Sequence, residues 1–425
     1  MNRTGGDQDG EKPAFGFAMM VLIFLPLAGG YFLSFLYRSI NAMIAPYLVA
    51  DLGLSPGELG LMTAVYFLGF GLFQLPLGIL LDRFGPARVQ STLLAVAALG
   101  AYLFSQGESI WALSAGRGLI GIGVAGALMS SFTAFAIWFP RQHLPLINGC
   151  FMGFGGLGAL AAAKPVEWAL GLTDWRGLFV ALSIATVIVG ALILICLPRP
   201  SGSRPKGDWR DQLRGLAAIY GNPLYRRVAP LAVMTIATGL SVQGLWAGTW
   251  LRDVASLDPK AVATHLSVIA IGLTIGPALA GITMGIARRA GFSMMSVYGV
   301  MAAAFLLIQL LIVLEWTSAS FVLWAGYGLL INAMAIAYAI LSQAFPKELA
   351  GRVNTNLNMA MIFIAFGAQY FVGWVIGFWP ITNTGGYDPG AYQAGFGGLL
   401  FLQAIAFVWF LFSGRDRVLA EDGTP

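Results

Sequence analysis

Charge is scarce in this sequence. Asp, Glu, Lys and Arg together make up 10% of its 425 residues, against about 25% in an ordinary soluble domain. That excludes a string of water-exposed globular domains, so the usual conversion of length into domain number does not apply. Cysteine is nearly absent. Cys150 and Cys196 are the two, both inside apolar runs, which excludes a disulfide framework and leaves small buried apolar residues. A carboxylate deep in the apolar segments is also missing. The cations Arg38, Arg117 and Lys164 lie within such segments, and no Asp or Glu lies comparably deep. There is no nucleophile–base pair, metal-ligand cluster or phosphate loop in a suitable context, so an enzyme is excluded and no cofactor is implied.

Apolar length is abundant. Hydrophobic residues make up 58% of the chain, and the mean hydropathy is +0.78. A spanning helix needs roughly 20 apolar residues. Twelve such stretches occur, near 17–48, 58–81, 88–107, 110–138, 144–168, 177–197, 228–250, 262–285, 292–314, 317–343, 353–378 and 392–413. The chain is polar to about Pro13, and the first apolar run is far longer than a signal-peptide core, so it reads as an uncleaved first helix. With both ends placed in the cytoplasm, 18 of the 24 Lys and Arg fall in cytoplasmic tails and loops. Arg176, Arg252 and Lys260 fall outside, and Arg38, Arg117 and Lys164 lie within the membrane. This bias follows the positive-inside rule and fits a bacterial inner membrane. It also explains the pI near 9.2 without nucleic acid as a partner.

The one long polar stretch, 198–227, divides six helices from six. The expected organisation is a tail (1–16), a six-helix bundle (17–197), a cytoplasmic linker (198–227) with room for a short helix on anionic lipid, a second bundle (228–413) and a tail (414–425). The halves repeat. Leu48, Leu54, Pro56 and Gly78 match Leu251, Leu257, Pro259 and Gly281 at an offset of 203. Phe139, Pro140 and Asn148 match Phe345, Pro346 and Asn354 at 206. Ala-Gly-Arg-Gly-Leu at 115–119 matches Ala-Gly-Tyr-Gly-Leu at 325–329. Parallel six-helix halves of this kind occur in one large transporter architecture.

The run Gly78-Ile-Leu-Leu-Asp82-Arg83-Phe84-Gly85-Pro86-Ala87-Arg88 resembles the G-x-x-x-D-R-x-G-x-R-[RK] loop of the major facilitator superfamily. Ala87 departs from the penultimate basic position. The resemblance covers nearly the whole chain and implies an all-α membrane protein of twelve helices in two pseudo-symmetric six-helix bundles. It also implies that Gly78, Asp82, Arg83, Gly85 and Arg88 belong to a cytoplasmic gate, whose acid meets the start of helix 11. A carboxylate beside a helix N-terminus is favourable. Arg117-Gly118 with Gly121, Gly123 and Gly126 resembles the family's helix 4 motif. The dinucleotide-like spacing of those glycines is discarded, because no strand precedes it, and close helix packing explains it. The glycines of helix 5, from Gly149 to Gly158, read the same way. That helix lacks the Gly-Pro step of the family's antiporter motif. Tyr37-Arg38, Asn41 and Pro46 resemble helix 1 of the family's organophosphate and organic anion branches, where the Arg binds the substrate anion.

A cation in hydrocarbon persists only when it faces a partner, a ligand or a water-filled cavity. Arg38 lies ten residues before Leu48, roughly 15 Å from the outer end of its helix. Arg117 and Lys164 are expected at similar depth, lining an anion cavity in the first half. An Arg grips a carboxylate or phosphate bidentately, and a Lys adds a mobile charge. The second half offers amides and rings instead: Gln243, Trp246 and Trp250 on roughly one face of helix 7, then Tyr327, Asn332 and Asn358. For coupling, Glu167 and His265 are the candidates. The expected activity is secondary or facilitative transport of a small organic anion by a monomer, with protons or a counter-anion as possible co-substrates, and lipid as its surroundings. The competing reading is a proton-coupled exporter of drugs, siderophores or other metabolites. A deep acid, which an exporter of cationic drugs should carry, is missing.

Overall fold

The computed structural model describes residues 16, 19–198, 216–333, 336–382 and 385–413, without the side chains of residues 141, 145, 216, 217, 332, 333, 347, 348 and 350. Among the described residues, twelve helices are long and apolar enough to cross a bilayer. They are α1 (Met20–Ser39, continued after Ile40 as Asn41–Leu52), α2 (Pro56–Phe84), α3 (Pro86–Ser105) and α4 (Ile110–Trp138). Then come α5 (Leu146–Leu170), α6 (Trp175–Cys196), α7 (Pro223–Asp253) and α8 (Pro259–Arg289). The last four are α9 (Met294–Val313), α10 (Thr317–Ala344), α11 (Lys347–Ile376) and α12 (Pro389–Phe412). Helices satisfy every backbone amide within the segment, which is what a lipid environment demands. The linker expected at 198–227 lies mostly outside the described residues. Its end forms a short helix, Leu216–Gly221, ahead of α7.

Several helices start earlier than their apolar runs, because polar caps and prolines set the boundary. Ser55 accepts the Glu58 amide and Glu58 reaches back to Ser55, a full capping box before Pro56. Asn222, Asp258 and Asp388 cap α7, α8 and α12, each followed by Pro at the first helical position.

The packing is pseudo-symmetric. In the first half α2 packs on α4, α1 on α5 and α3 on α6. In the second, α8 packs on α10, α7 on α11 and α9 on α12. The two halves meet through α2 against α11, α5 against α8, and α1 against α7. Small residues make these approaches possible. A Cβ at Gly121 would collide with the Tyr66 carbonyl, and one at Gly123 with Ala97. The glycine spacing in α4 is thus a packing device.

Two faces can be told apart. One carries Asp51, Arg176 and Asp253, the other Asp82, Arg88 and Arg288. At the Asp51 face the halves are sealed. Added Cβ atoms at Gly248 and Gly373 would strike the carbonyls of Ala42 and Pro56, and one at Gly156 would strike Thr274. Toward the Asp82 face, Gly149, Gly153, Gly281, Gly285 and Gly351 have open space around them, and Asp82, Arg83 and Arg88 are exposed. The closest approach of the halves, backbone to backbone, is therefore toward the Asp51 face.

Each half is clasped at its Asp51-face end by an aspartate closing its first helix. Asp51 accepts from Arg176 Nη1 at 2.7 Å and Trp175 Nε1 at 3.2 Å, tying the end of α1 to the start of α6. Asp253 accepts from Arg252 Nε at 2.6 Å, the Tyr392 hydroxyl at 2.7 Å and the Tyr387 amide at 3.1 Å, tying α7 to α12. The Asp253 side chain is 3% exposed, the Asp51 side chain 48%. Burial also pushes the Tyr387 phenol up to about 12, so it stays neutral beside Asp253.

Two outcomes follow. Asp253→Ala removes a buried, charge-assisted network and costs about 3 kcal/mol, whereas Asp51→Ala removes an exposed pair and costs under about 1 kcal/mol; thermal unfolding in detergent separates them. Gly248→Val forces α1 from α7 and unseals the Asp51 face. A Ser39→Cys probe, in a background lacking Cys150 and Cys196, is then labelled by an impermeant maleimide from that face, and stays protected with Gly248 intact.

Candidate functional site

Tyr37 and Arg38 are adjacent on α1 and point in different directions, since successive helical residues are about 100° apart. Tyr37 is fully buried in the first half, and its hydroxyl is 2.9 Å from Thr186 Oγ1 on α6. Arg38 is only partly buried. Its guanidinium lies 4.7 Å from the Phe35 ring centre and 5.2 Å from that of Phe70. It donates no hydrogen bond to any described residue, and its Nε is buried without a partner. One donor is thus buried and unfilled in a helix that spans the apolar core, and the four on the terminal nitrogens are free for a ligand or water. Cation–π contact offsets part of the desolvation cost, about 0.5–2 kcal/mol per ring, and satisfies no donor.

The seal begins one residue beyond Arg38. Gln243 Nε2 donates to Ser39 Oγ at 3.1 Å, and a Cβ at Gly244 would lie 3.4 Å from the Arg38 carbonyl oxygen. Trp246 Nε1 donates to the Gln369 carbonyl at 3.1 Å, and its ring is against Gly60 and Gly373. Arg38 thus sits, partly buried, against the floor that this seal forms on its Asp82 side. The α7 side of the floor is a π-helical turn, Val242–Trp246, a form that accumulates at functional sites. Its extra residue per turn spreads side chains that an α-helix would align. Gln243 reaches α1 and Trp246 reaches α11. Trp250 reaches α10, its ring 5.5 Å from that of Trp324. The expectation of one shared face on helix 7 is corrected accordingly.

The other cations do not join Arg38. Arg117 is 1% exposed within the first half. Its Nη1 donates to the Tyr37 carbonyl at 3.0 Å, and the rings of Phe104 and Phe179 lie 5.1 and 5.6 Å away. Tyr327 occupies the equivalent place in the second half, buried and donating to the Thr238 carbonyl on α7 at 3.5 Å. Both therefore tie a fourth helix to a first helix. Lys164 is exposed and makes no ion pair with Glu167, although both stand in one helical segment, Lys164–Leu170, which follows a break in α5 at Ala162 and Ala163 and lies near the Asp51 face. Asn41 is buried and donates to Thr63 Oγ1 at 2.7 Å.

Asn358 is half-buried with no hydrogen bond to a described residue, and the side chain of Asn332 lies outside those described. Glu167 is half-buried and pairs with no described residue. Both ring nitrogens of His265 are engaged, with the Ala261 carbonyl at 2.8 Å and Ser320 Oγ at 3.2 Å. The residues expected to form a gate lie toward the Asp82 face. Gly85 holds φ 78°, a conformation glycine adopts without strain. Gly78 is half-buried, Arg83 lies 5.1 Å over the Phe84 ring, and Asp82 pairs with no described residue. Sequence reasoning missed Phe35, Phe70 and Ser39. Phe35 was legible as the i−3 neighbour of Arg38, whereas Phe70 comes from another helix.

The Major Facilitator Superfamily model matches residues 27–368. A protein of Cupriavidus necator named "Probable sulfoacetate transporter" is 22% identical over 84% of this chain and 86% of its own length. The "Hexuronate transporter" of Escherichia coli K12 is 23% identical over 51% of this chain and 49% of its own length. The "Quinolone resistance transporter" of Acinetobacter baumannii is 24% identical over 53% and 56%. The chain thus spans about half the length of the latter two. Among solved structures, a bacterial homolog of the human lysosomal transporter Spinster, inward-facing and occupied, superposes with a TM-score of 0.73 at 15% identity. That match covers 94% of this chain and 98% of the other. With twelve spanning helices in two six-helix bundles and a family match over most of its length, this chain belongs to the major facilitator superfamily and is an integral, multi-pass membrane transporter.

Proposed function

We propose that the chain carries a small organic anion, of carboxylate, sulfonate or phosphate type, by alternating access. The bodies that move are 17–197 and 228–413. The observation that carries this reading is Arg38: a partly buried cation on the Asp82 side of the seal, flanked by two rings, with no acceptor among the described residues. An oxyanion would accept its N–H donors in bidentate fashion, and the rings of Phe35 and Phe70 would cover an apolar body. Relatives named for sulfoacetate and hexuronate, both organic anions, support the class.

The face with Asp82, Arg88, Arg226, Arg227, Arg288 and Arg289 is cytoplasmic in this reading, because of its cations, and both termini share it in a bacterial plasma membrane. The residues around Asp82 form the gate on this face. Arg117 and Tyr327 brace the two bundles. His265 holds α8 to α10, which leaves Glu167 as the remaining candidate for proton coupling. Export of a drug-like compound is the second reading, favoured by the relative named for quinolone resistance and by the rings beside Arg38.

Thermal unfolding of the purified protein across carboxylates, sulfonates, phosphates, sugars and cationic drugs tests the proposal. One anion class raises the midpoint. Arg38→Ala weakens that binding about 10- to 100-fold, the loss expected for charge-assisted hydrogen bonds worth roughly 1.5–3 kcal/mol, and Arg38→Lys keeps part of it. Stabilisation by cations or sugars that survives Arg38→Ala contradicts the anion reading.

A further inference from the structure

A second cavity lies away from the central one, where the start of α7, the start of α9 and the end of α12 meet. Its volume is about 500 Å³, and none of its lining residues is acidic. Arg227, Ser293 and Ser296 line its polar end; Val300, Phe407 and Leu411 line the rest. Arg227 is held in place. Its Nε donates to the Phe410 carbonyl at 2.9 Å and its guanidinium lies 5.3 Å over the Phe410 ring. Its terminal nitrogens donate to no described residue. Ser293 caps α9, accepting the Ser296 amide at 3.0 Å, so the free amides of the first turn of α9 stand at the same end.

Three further observations say what fills it. Val300, seven residues into a spanning helix from Ser293, is 70% exposed, so the apolar end opens sideways toward lipid. The exposed Trp409 ring, with Nε1 donating to the Arg226 carbonyl at 2.8 Å, marks the level of the membrane boundary beside the polar end. Arg226, Arg288 and Arg289 are exposed on the same face. A free oxyanion would use the polar end alone and leave the apolar groove below it uncovered. A phospholipid uses both, with its phosphodiester at Arg227 and Ser293 and an acyl chain along Val300, Ala303 and Phe407.

We infer that this cavity is a binding site for an anionic phospholipid, taken from the leaflet on the Arg227 face. Lipid there would bridge α7, α9 and α12 within one half and leave the central cavity untouched. The reading is independent of which solute is carried.

The test uses the full-length, delipidated protein in neutral detergent, with phosphatidylglycerol, phosphatidylcholine and inorganic phosphate as probes. Native mass spectrometry counts bound lipid, and thermal unfolding reads stabilisation. Two variants are compared. Arg227→Gln removes the charge. Ser296→Glu puts a carboxylate at the polar end while completing a capping box with Ser293, so α9 keeps its start. Phosphatidylglycerol binds and stabilises the parent chain, and each variant weakens that binding about fivefold or more, the factor for one charge at a lipid surface. Equal binding of phosphatidylglycerol by the parent and both variants overturns the inference. So does equal stabilisation by phosphatidylcholine, and inorganic phosphate alone reproducing the shift overturns it in favour of a free-oxyanion site.

Discussion

An unsatisfied guanidinium at mid-membrane is the constraint around which this protein is arranged. Arg38 is about 18 residues from one end of α1 and 14 from the other, roughly 27 and 21 Å at 1.5 Å per residue. A cation at that depth is costly unless water or a counter-charge reaches it. The fold leaves it partly buried and supplies two aromatic faces but, among the described residues, no carboxylate. Arg117 shows the opposite solution one helix away. It is enclosed, carbonyl-bonded and ring-flanked, and its work is to brace α4 against α1.

The seal above Arg38 explains why backbone contact matters as much as side-chain chemistry here. Gly248 lies against the Ala42 carbonyl and Gly373 against that of Pro56, so the halves meet backbone to backbone at the Asp51 face. Small residues give association where hydrophobic driving force is weak. Contacts of this kind hold few side chains in place and can part without leaving many polar groups unpaired. The Gln243–Ser39 and Trp246–Gln369 bonds add register to the same surface. The aspartate clasps lie within each half, so they can persist while the halves move.

Much of this was legible in the residues. Apolar length and the basic bias led to twelve helices, and caps such as Ser55-Pro56 and Asp258-Pro259 account for the few residues by which the runs missed the true starts. The repeat paired Tyr327 with Arg117, and both turned out to tie a fourth helix to a first helix. Arg38 stood out because burial of a lone cation is rare. What could not be read depends on local geometry that leaves no periodic trace. The π-turn at Val242–Trp246 sends Gln243, Trp246 and Trp250 to three different helices. The break at Ala162 and Ala163 places Lys164 on the surface instead of beside Arg38. Phe70 reaches Arg38 from a helix whose rotation the sequence does not specify.

The central claim is that Arg38 receives the anion that the protein moves. Uptake of labelled short-chain carboxylates and sulfonates into proteoliposomes, compared between the parent chain, Arg38→Lys and Arg38→Gln, tests it most directly. The account predicts saturable uptake of one anion class, reduced in Arg38→Lys chiefly through a higher KM and lost in Arg38→Gln, with both variants folded. Uptake by Arg38→Gln at the parent rate would contradict it.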